Sequence, residues 1–428
     1  MRYDAPVASV QKRTAFASRR FQLALTAWLA ALIPFLLRVA SGAPLEPQLW
    51  NALWFNAIAV IVAFWVRLSV EPYPGIRQSY VIFPAAAVGH GSVLFILLMT
   101  RLPYDRVGLV VGFALHIFLA YLFWFLVQRR LRLRIGVVPF GQVHDLSHIE
   151  SVEWVPLSAP SLQEAQLYDA LVVDLSDDIP DDWERMLADA AVTGLMVYQA
   201  KQLAESLTGR VQIDHLTENS FGMLIPGRGY FYLKSLGDWI AALLVAPFAL
   251  PVIVIVSIMI RLNDGGPALF KQLRVGRAGA PFLVYKFRTM TPEPLPTEES
   301  AVHAALATSH RDPRITRFGA LLRKTRLDEI PQVLNILRGE MSWIGPRPEP
   351  EGLSPLFVSS IPFYRYRYVV KPGITGWAQV NQGYVTGIDQ IALKLQYDFY
   401  YIKNFSAWLD VLIFFKTLKT MFTGSGAR

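Results

Sequence analysis

Residues 323–348, RKTRLDEIPQVLNILRGEMSWIGPRP, combine two adjacent acids, several basic groups and a short apolar pattern of helical period. Thr325 and Asp328 have the spacing of a capping box. Pro331 is tolerated in the first turn of a helix but not in its interior. The pattern therefore predicts a helix that begins near Asp328 and runs toward Gly339.

The two acids of this stretch are Asp328 and Glu329. At the N-terminus of a helix, the macrodipole and the unpaired backbone amides favour an ionised carboxylate, and they also attract phosphate oxygens or a carboxylate-bound metal ion. An isolated Asp-Glu pair more often does nothing beyond capping the helix. The neighbouring residues decide between these two interpretations.

A rigid turn follows the predicted helix, with the sequence GPRP at 345–348. Arg347 stands between two prolines, which restrict the backbone on both sides of its guanidinium. Arginine presents a planar fork of donors that suits bidentate recognition of phosphate. The turn therefore favours a functional interpretation of the acids that precede it.

Residues 326–348, RLDEIPQVLNILRGEMSWIGPRP, resemble the signature of the bacterial polyprenyl-phosphate hexose-1-phosphate transferases. These monotopic phosphoglycosyl transferases start the assembly of surface polysaccharides. The resemblance extends, with variable segments between, from about residue 230 to the C-terminus. The whole chain looks like the long form of this bacterial sugar transferase family, which carries an additional membrane domain. Arg326 departs from the pattern, because many members have serine there.

Composition indicates an integral membrane protein. The chain has 428 residues, enough for two or three domains, and 53% of them are hydrophobic. The net charge of +8 fits contact with anionic lipid headgroups or anionic substrates, and nucleic acid is not an expected partner. The absence of cysteine excludes disulfides, thiolate catalysis and cysteine-ligated metal sites.

Four apolar segments, at about 21–39, 50–66, 79–99 and 107–127, are each close to the ~20 residues that cross a bilayer as a helix. Basic residues precede the first segment and follow the fourth: Lys12, Arg13, Arg19, Arg20, Arg129, Arg130, Arg132 and Arg134. The positive-inside rule therefore places both ends in the cytoplasm. Residues 1–20 are expected to be a cytoplasmic tail, without a removable signal peptide.

Residues 135–225 have the soluble composition and alternating pattern of a small α/β domain. Strands are predicted at 135–139, 169–174 and 195–198, and a helix near 182–191. No G-x-G-x-x-G motif follows the first strand, so nucleotide binding there has no local support. The resemblance implies a Rossmann-like accessory module without catalytic residues, and we expect it to act in regulation or assembly.

A different membrane segment is expected at 239–260, where an apolar run contains Pro247 and Pro251 and has basic residues on both flanks. Positive charge at both ends is unusual for one crossing, and proline bends a helix. These features predict a helix that enters the membrane, breaks near Pro247 and returns to the same face. The resemblance implies the same re-entrant helix, at about 235–260, broken at a Ser-Pro pair. Here Ala246 replaces the serine, and a fifth crossing is the alternative.

A β-hairpin is predicted for residues 265–290 from their alternation and glycines. Lys286 and Arg288 share one face of its second strand, where they would ordinarily be surface charges. The resemblance implies that both belong to the active site, as phosphate or carboxylate partners. Residues 291–310 are rich in proline, polar residues and alanine, and they are expected to form a mobile insert over the site.

Further residues are expected to bind the substrates: Arg314, Arg317, Pro346, Arg347, Gln379, Asp398 and Asp410. Gln379 belongs to the turn-rich segment 371–381, which the resemblance places near the substrate. From 393 to 421, apolar and aromatic positions follow a helical period, and polar residues interrupt them. This pattern predicts an amphipathic interfacial helix rather than a crossing. Asp398 and Asp410 match acids that the family retains in this region.

The expected fold class is a membrane α+β protein. A tail at 1–20 precedes a four-helix transmembrane domain at 21–134, a Rossmann-like α/β domain at 135–225, and a catalytic domain at 226–428 with the re-entrant helix and amphipathic interfacial helices. The resemblance implies the bacterial inner (cytoplasmic) membrane, with the active site facing the cytoplasm. Membrane lipids, a homodimer and downstream glycosyltransferases are the expected macromolecular partners.

The resemblance also implies a reaction. A sugar 1-phosphate passes from a UDP-hexose to polyprenyl (undecaprenyl) phosphate and UMP is released, as the first step of exopolysaccharide, capsule or O-antigen synthesis. Asp328 is expected to be the nucleophile, through a covalent aspartyl-phosphosugar intermediate. Mg²⁺ is expected as cofactor, held by Asp328 and Glu329, because this ion binds through one or two carboxylates together with substrate phosphates. No histidine, cysteine or Ser-x-x-Lys in the catalytic region suggests a competing nucleophile.

Three other functions are compatible with the sequence. A direct glycosyltransferase would use the same donor but release UDP. A non-catalytic membrane scaffold of polysaccharide assembly would turn over nothing. A transporter would use the four apolar segments, in which His90 and His116 suggest a transport path, although lone histidines that face neighbouring helices are the more usual explanation.

Overall fold

The computed structural model describes residues 19–70, 79–126, 133–141, 143–150, 152–212, 226–291, 314–382 and 388–423. Two compact units divide the chain, Met1–Gly209 and Arg210–Arg428. Three predictions fall wholly or largely outside the described residues: most of the N-terminal tail, the arginines that follow the fourth apolar segment, and the insert at 291–310, of which only Thr291 is described.

Four long helices begin the first unit: α1 Arg19–Ala40, α2 Pro47–Val70, α3 Ser79–Thr100 and α4 Arg106–Leu126. They coincide with the four predicted apolar segments, so the helix predictions are confirmed. Glycine allows α3 to approach α2 closely, because a Cβ on Gly89 would lie 2.3 Å from Ala59 O. Arg38 Nε donates to Asp105 Oδ2 at 2.9 Å and connects the end of α1 to the start of α4.

A small α/β domain completes this unit, with four parallel strands in the order β2-β1-β3-β4. Its elements are β1 Leu133–Val137, a 3-10 helix Val143–His148, β2 Val152–Pro156, α5 Leu162–Ala165, β3 Ala170–Val173, α6 Asp181–Val192, β4 Met196–Gln199 and α7 Ala200–Thr208. Apolar side chains of α6 and α7 cover opposite faces of the central strands. The predicted α/β architecture is confirmed, but β2 was not predicted. It is a short edge strand whose sequence, VEWVP, lacks an apolar run.

The second unit begins with α8, Arg228–Asp264, a single helix of 37 residues that includes Pro247 and Pro251. One face packs on the core of the second unit: Ala242 and Ala249 pack with Phe282 and Val284, and Val256 and Ile260 pack with Phe287. The opposite face exposes large apolar side chains: Leu233, Leu244, Phe248, Ile255 and Leu262. The predicted break near Pro247 and the re-entrant path stay predictions.

Five described helices, α1–α4 and α8, are long and apolar enough to cross a membrane. Trp28, Trp54 and Trp65 are exposed on the first two of them, although burial would be expected for tryptophan in a water-soluble protein. Together with the exposed face of α8, these side chains identify a membrane protein. Which helices cross the bilayer, and in which orientation, stays a prediction.

The predicted hairpin is confirmed, with β5 Leu269–Val275 antiparallel to β6 Pro281–Phe287. A 3-10 helix, Arg277–Gly279, lies in the hairpin turn. The elements that follow are α9 Arg317–Lys324, a 3-10 helix Leu327–Gln332, α10 Val333–Leu337, β7 Ser342–Ile344, a 3-10 helix Glu351–Leu353, α11 Ser354–Ser360, a 3-10 helix Tyr364–Val369, β8 Gly373–Thr375 and α12 Trp377–Gln382. Strands β7 and β8 pair in parallel. Buried residues of β6 and α10 share one core with α8.

Two helices, α13 Ile388–Lys403 and α14 Ala407–Thr423, end the described chain. The prediction of one helix from 393 to 421 is therefore wrong. The chain turns after Asn404, and Ser406 Oγ accepts a hydrogen bond from Leu409 N at 3.4 Å at the start of the second helix. Many apolar residues of both helices are buried in the unit, which accounts for their aromatic pattern.

Candidate active site

The acid pair lies in the first helical turn after α9. The 3-10 helix Leu327–Gln332 contains both acids and continues directly into α10. The predicted helix is therefore present, although its first turn is 3-10. The predicted capping box is wrong, because Thr325 Oγ1 donates to Leu321 O at 2.8 Å within the preceding helix. Arg326, in the left-handed region with φ 59°, begins the new helix instead.

Glu329 is the fully paired acid. Its side chain is buried, and Oε1 accepts hydrogen bonds from Lys286 Nζ at 2.9 Å and from Arg347 Nη2 at 3.0 Å. Arg326 Nη1 lies 3.9 Å from Oε2. Burial alone would raise the pKa of Glu329, but the charges of Lys286 and Arg347 outweigh burial and hold this pKa well below its ordinary value. Glu329 is therefore a stable anion that holds two cations in place.

Asp328 is the incompletely paired acid. Its Oδ1 is buried and has no hydrogen-bond partner among the residues that the structure describes. Burial, and then the negative charge of Glu329, raises the pKa of Asp328 above its ordinary value, and nearby cations offset part of this rise. A buried acceptor without a donor is rare in proteins and marks a place where a ligand can bind. Asp328, Glu329, Lys286 and Arg347 are called the acid-pair cluster below.

Lys286 reaches the acids from β6, and Arg288 follows the end of that strand. Burial, and then the charge of Arg347, lowers the pKa of Lys286 to about 8, although Glu329 acts in the opposite direction. The guanidinium of Arg288 packs against Gly266, where a Cβ would lie 2.3 Å from Nη1. The hairpin thus brings Lys286 to the acid pair, and the roles of both cations toward a substrate stay predictions.

The turn that carries Arg347 is fixed through its backbone. Gly345 N donates to Thr375 O at 2.8 Å, and Gly373 N donates to Pro346 O at 2.9 Å. Pro346 itself is buried. Strands β7 and β8 therefore set the path of the chain immediately before Arg347, whose side chain then reaches Glu329.

Asp398 belongs to a second buried group of charges. Arg367 Nη2 donates to Asp398 Oδ2 at 3.0 Å, and both side chains are 2% exposed. Glu349 Oε1 accepts from Arg367 Nη1 at 3.1 Å and from Lys394 Nζ at 2.5 Å. These four residues are called the Arg367 cluster below. The contacts give Asp398 a structural partner, and its expected role in substrate binding stays a prediction.

Asp410 connects α8 to the C-terminal helices. Its Oδ2 accepts from Tyr230 Oη at 2.6 Å and from Lys234 Nζ at 2.7 Å. Its Oδ1 accepts from Tyr401 Oη at 2.9 Å, and this hydroxyl also lies 3.1 Å from Ile344 O. Asp410 therefore joins α8 to α13, and Tyr401 of α13 in turn contacts β7. A direct role of this acid in substrate binding stays a prediction.

Three other expected substrate-binding residues lie on separate parts of the second unit. Thr291 N donates to Arg314 O at 2.9 Å, and Arg317 is exposed at the start of α9. Gln379 Nε2 donates to Ile374 O at 3.2 Å. Its Oε1 is buried without a partner among the described residues. Their predicted roles toward a substrate are not tested by these contacts.

Sequence patterns do not identify two arginines that hold the turn. Arg367 Nη2 donates to Arg347 O at 2.9 Å, and Arg274 Nη1 donates to Pro348 O. Arg367 stands in the aromatic run 364–368, YRYRY, and Arg274 stands in a strand with other basic residues. Because both contacts join residues far apart in the chain, no local spacing predicts them.

The expected Mg²⁺ has few protein ligands in this arrangement. Across the described ranges, no group of three or more His, Cys, Asp or Glu residues is arranged to hold a metal ion. Asp328 fits a metal ligand, because its Oδ1 is buried without a donor. Glu329 fits less well, because two cations already contact its Oε1. A set made of Asp328 and the phosphates of a bound donor agrees with the usual coordination of Mg²⁺.

Comparison with known proteins gives a consistent result. The family model described as bacterial sugar transferase matches residues 229–424, a range that contains the whole acid-pair cluster. The UDP-N-acetylgalactosamine-undecaprenyl-phosphate N-acetylgalactosaminephosphotransferase of Aeromonas hydrophila is 42% identical over 379 residues, which cover 88% of this chain and 88% of that protein.

Two other relatives each match about half of this chain. The UDP-glucose:undecaprenyl-phosphate glucose-1-phosphate transferase of Escherichia coli is 36% identical over 197 residues, which cover 46% of this chain and 41% of that protein. The exopolysaccharide production protein PSS of Rhizobium leguminosarum is 39% identical over 205 residues, which cover 47% of this chain and 96% of that protein.

Proposed function

The chain belongs to the bacterial sugar transferase family, and from this premise we propose that it transfers a sugar 1-phosphate from a UDP-sugar to undecaprenyl phosphate and releases UMP. The observation that supports this reaction best is the difference between the two acids. Glu329 is paired with Lys286 and Arg347, whereas Asp328 has a buried oxygen without a partner among the described residues. A carboxylate oxygen without a hydrogen-bond partner can attack an electrophile, whereas a paired one cannot do so without losing its partners.

The proposed reaction has two steps at one phosphorus atom. In the first step, an Asp328 carboxylate oxygen attacks the phosphorus that carries the sugar, the bond to the bridging oxygen breaks, and UMP leaves. In the second step, a phosphate oxygen of the lipid attacks the same phosphorus and the bond to Asp328 breaks. The products are the lipid diphosphate sugar and a free Asp328 carboxylate. This sequence predicts ping-pong kinetics.

The acid-pair cluster also supplies positive charge for the transition state. Lys286 and Arg347 together carry two positive charges, and Glu329 offsets one of them. The remaining charge lies next to Asp328, where the oxygens of the transferred phosphoryl group would gather negative charge. Because both cations are already held by Glu329, they need not reorganise during the reaction. Mg²⁺, held by Asp328 and the donor phosphates, would add further neutralisation when bound.

The exposed apolar face of α8 supports a site at the membrane surface, where the phosphate of a polyprenyl lipid lies. We propose the bacterial inner membrane, with the site on the cytoplasmic side and α8 re-entrant. The chain has no cysteine, so Gly227→Cys and Lys271→Cys each give a single labelling site on one flank of α8. Both should react from the cytoplasmic side, and Ser41→Cys, in the loop after α1, should react from the other. Labelling of the two flanks from opposite sides would contradict the re-entrant path.

For the donor, we propose a UDP-N-acetylhexosamine. The support is the relative from Aeromonas hydrophila, whose similarity covers 88% of both chains, whereas the glucose-1-phosphate transferase of Escherichia coli matches 46% of this chain. A UDP-glucose donor is the alternative, and a homodimer and downstream glycosyltransferases remain proposed partners.

The experiment that tests this function is incubation of the purified protein with undecaprenyl phosphate and a panel of UDP-sugars, followed by analysis of the released nucleotide. We expect UMP, with the highest rate for an N-acetylhexosamine donor. Release of UDP would indicate a direct glycosyltransferase. No release with any donor would favour a scaffold, and an unchanged result after Asp328→Asn would contradict the role of Asp328 as the nucleophile.

A further inference from the structure

The turn at 345–349 is held by hydrogen bonds along its whole length, beginning with the bonds of Gly345 and Pro346 to β8 described above. The last three carbonyls also accept hydrogen bonds from the rest of the unit: Arg347 O from Arg367 Nη2 at 2.9 Å, Pro348 O from Arg274 Nη1, and Glu349 O from Val275 N at 3.0 Å. A turn with this many fixed points has one backbone path, so the starting point of the Arg347 side chain is set.

Arg367 contacts both the Arg347 carbonyl and Asp398 of the C-terminal helix α13. Its guanidinium is held by Asp398 and Glu349, and Nη1 also donates to Tyr364 Oη. The side chains of Arg367 and Asp398 are each 2% exposed. A buried guanidinium cannot move without breaking charged hydrogen bonds that water does not replace. The carbonyl of Arg347 is therefore bound to a group that is itself immobile.

The other end of Arg347 lies in the acid-pair cluster, with Nη2 3.0 Å from Glu329 Oε1. One residue thus has its carbonyl on Arg367 and its guanidinium beside the acids. A small displacement of the turn would move the guanidinium away from Glu329 and from the phosphates of a donor. Such displacements are costly, because an error of about 1 Å in placing a catalytic group can reduce the rate about 10²-fold.

We infer that Arg367 is a positioning residue, which sets the place of the Arg347 guanidinium by binding the Arg347 carbonyl. Asp398 and Glu349 act through it, because they hold Arg367 in place. Asp398 thereby contributes to the reaction without contacting a substrate. Its role is to hold Arg367 in place. The inference rests on the proposed function, since it assigns these residues to the same reaction.

A double-mutant cycle of Arg367→Lys and Arg347→Ala tests the inference. Lysine keeps the positive charge but lacks the planar guanidinium, which donates to the Arg347 carbonyl and to two carboxylates at the same time. In the wild-type background, we expect Arg367→Lys to lower kcat/KM for the UDP-sugar about 10- to 100-fold. In the Arg347→Ala background, the same substitution should change kcat/KM by less than about twofold, because no guanidinium remains to be positioned.

Arg365→Lys is the matched control, because Arg365 lies in the same 3-10 helix as Arg367 but is exposed. It should leave both backgrounds unchanged. Thermal unfolding distinguishes an effect on the position of Arg347 from an effect on stability. Arg367→Lys should lower Tm by the same amount with and without Arg347. If Arg367→Lys does not fold, Asp398→Asn replaces it in the cycle. If Arg347→Ala is inactive, Arg347→Lys replaces it.

An equal loss of kcat/KM in both backgrounds would overturn the inference, because a residue that only stabilises the unit acts whether or not Arg347 is present. This result is distinct from failure of the proposed function. If the wild type releases no UMP with any UDP-sugar, the proposed function is wrong. If the wild type is active and the losses are additive, only the positioning role of Arg367 is wrong. Coupled losses, with coincident changes in Tm, are the expected result.

Discussion

Two groups of buried charges lie in the second unit, and they differ in how completely their acids are paired. In the Arg367 cluster, Asp398 and Glu349 each contact at least one cation at hydrogen-bond distance. In the acid-pair cluster, Glu329 is paired in the same way, but Asp328 Oδ1 is buried without a partner among the described residues. The acids of the first group are paired within the folded chain, although Arg367 Nε is also buried without a partner among the described residues. In the second group, it is an acid oxygen that is left for a ligand to contact.

Burial of charge does not by itself mark an active site. Both groups contain acids and cations with little exposure, and both hold the pKa of one glutamate well below its ordinary value. For Glu329 and Glu349 alike, burial raises the pKa and neighbouring cations outweigh it. Among the acids of the two clusters, Asp328 alone has a buried oxygen without a partner in the described chain. Substitution of Asp328 should therefore lower activity more than stability, and substitution in the Arg367 cluster should lower stability more than activity.

Asp328→Asn should have the largest effect on activity. We expect turnover to fall on the order of 10⁴-fold or more, because the amide cannot attack phosphorus. Stability should not fall, since the substitution removes a charge that has no partner at Oδ1 and that repels Glu329. Steady-state UMP release and thermal unfolding of the same sample measure both quantities. A clear drop in Tm with retained turnover would mean that Asp328 is a helix cap.

Asp398→Asn should show the opposite balance. Arg367 would lose the carboxylate of Asp398 and keep that of Glu349, and removing one partner of a buried pair typically costs about 3–5 kcal/mol. The free energy of unfolding should therefore fall by about this amount, while activity falls much less than in Asp328→Asn. Denaturant unfolding in detergent, with activity measured at low temperature, separates the two effects. An unchanged free energy of unfolding would mean that the Arg367 cluster is not structural.

Much of this comparison could not have been predicted from the sequence. The spacing of the acids, Pro331 and Gly339 predicted where the helical segment lies, and the glycines with alternating residues predicted the hairpin that carries Lys286. Both depend on local geometry. Thr325 was assigned to the wrong helix, because its hydroxyl can bond either to the following turn or to a carbonyl four residues back, and the second bond forms.

The pairing of the charged residues depends on contacts between distant parts of the chain. Asp398 and Asp410 had the same status in the sequence, as acids in one apolar region. In the structure, Asp398 accepts a hydrogen bond from Arg367, whereas Asp410 accepts from Tyr230, Lys234 and Tyr401. Which of several arginines meets which acid is decided by the fold, and no residue spacing encodes it.

The pH dependence of activity tests the charge balance of the acid-pair cluster. The pKa of Lys286 is lowered to about 8, so this side chain is cationic below that pH and becomes neutral above it. We expect kcat/KM to fall as pH rises through about 8, approaching tenfold for each further pH unit. Lys286→Arg should move this limb to higher pH, because arginine stays charged.

Stability distinguishes this titration from alkaline unfolding. The pKa of Lys286 is about 8 in the folded chain against an ordinary value of 10.5. Between these values, the unfolded chain binds more protons than the folded one, so Lys286 alone makes the free energy of unfolding rise with pH. Activity should therefore decline while Tm does not decline in parallel. If kcat/KM of Lys286→Arg falls over the same pH range as that of the wild type, the titrating group is not Lys286.

The smallest effect is expected at Arg326, an exposed cation beside the acid-pair cluster. Its Nη1 lies 3.9 Å from Glu329 Oε2, and its side chain is 42% exposed. Ion pairs of this kind contribute about 0–1 kcal/mol. Arg326→Ser, which restores the residue common in the family, should change KM for the donor by about threefold or less and leave kcat nearly unchanged. A loss as large as that of Lys286→Ala in a parallel assay would mean that Arg326 contacts the substrate directly.

The covalent step is the central claim, and mass analysis of the intact protein tests it most directly. The wild type is mixed with a UDP-sugar that it uses, without undecaprenyl phosphate, and the protein and nucleotide are measured in the same sample. The account predicts one sugar phosphate added per active protein, an equal amount of UMP, loss of the adduct when the lipid is supplied, and neither adduct nor UMP with Asp328→Asn. UMP that appears only when both substrates are present, or an adduct that persists in Asp328→Asn, would contradict it.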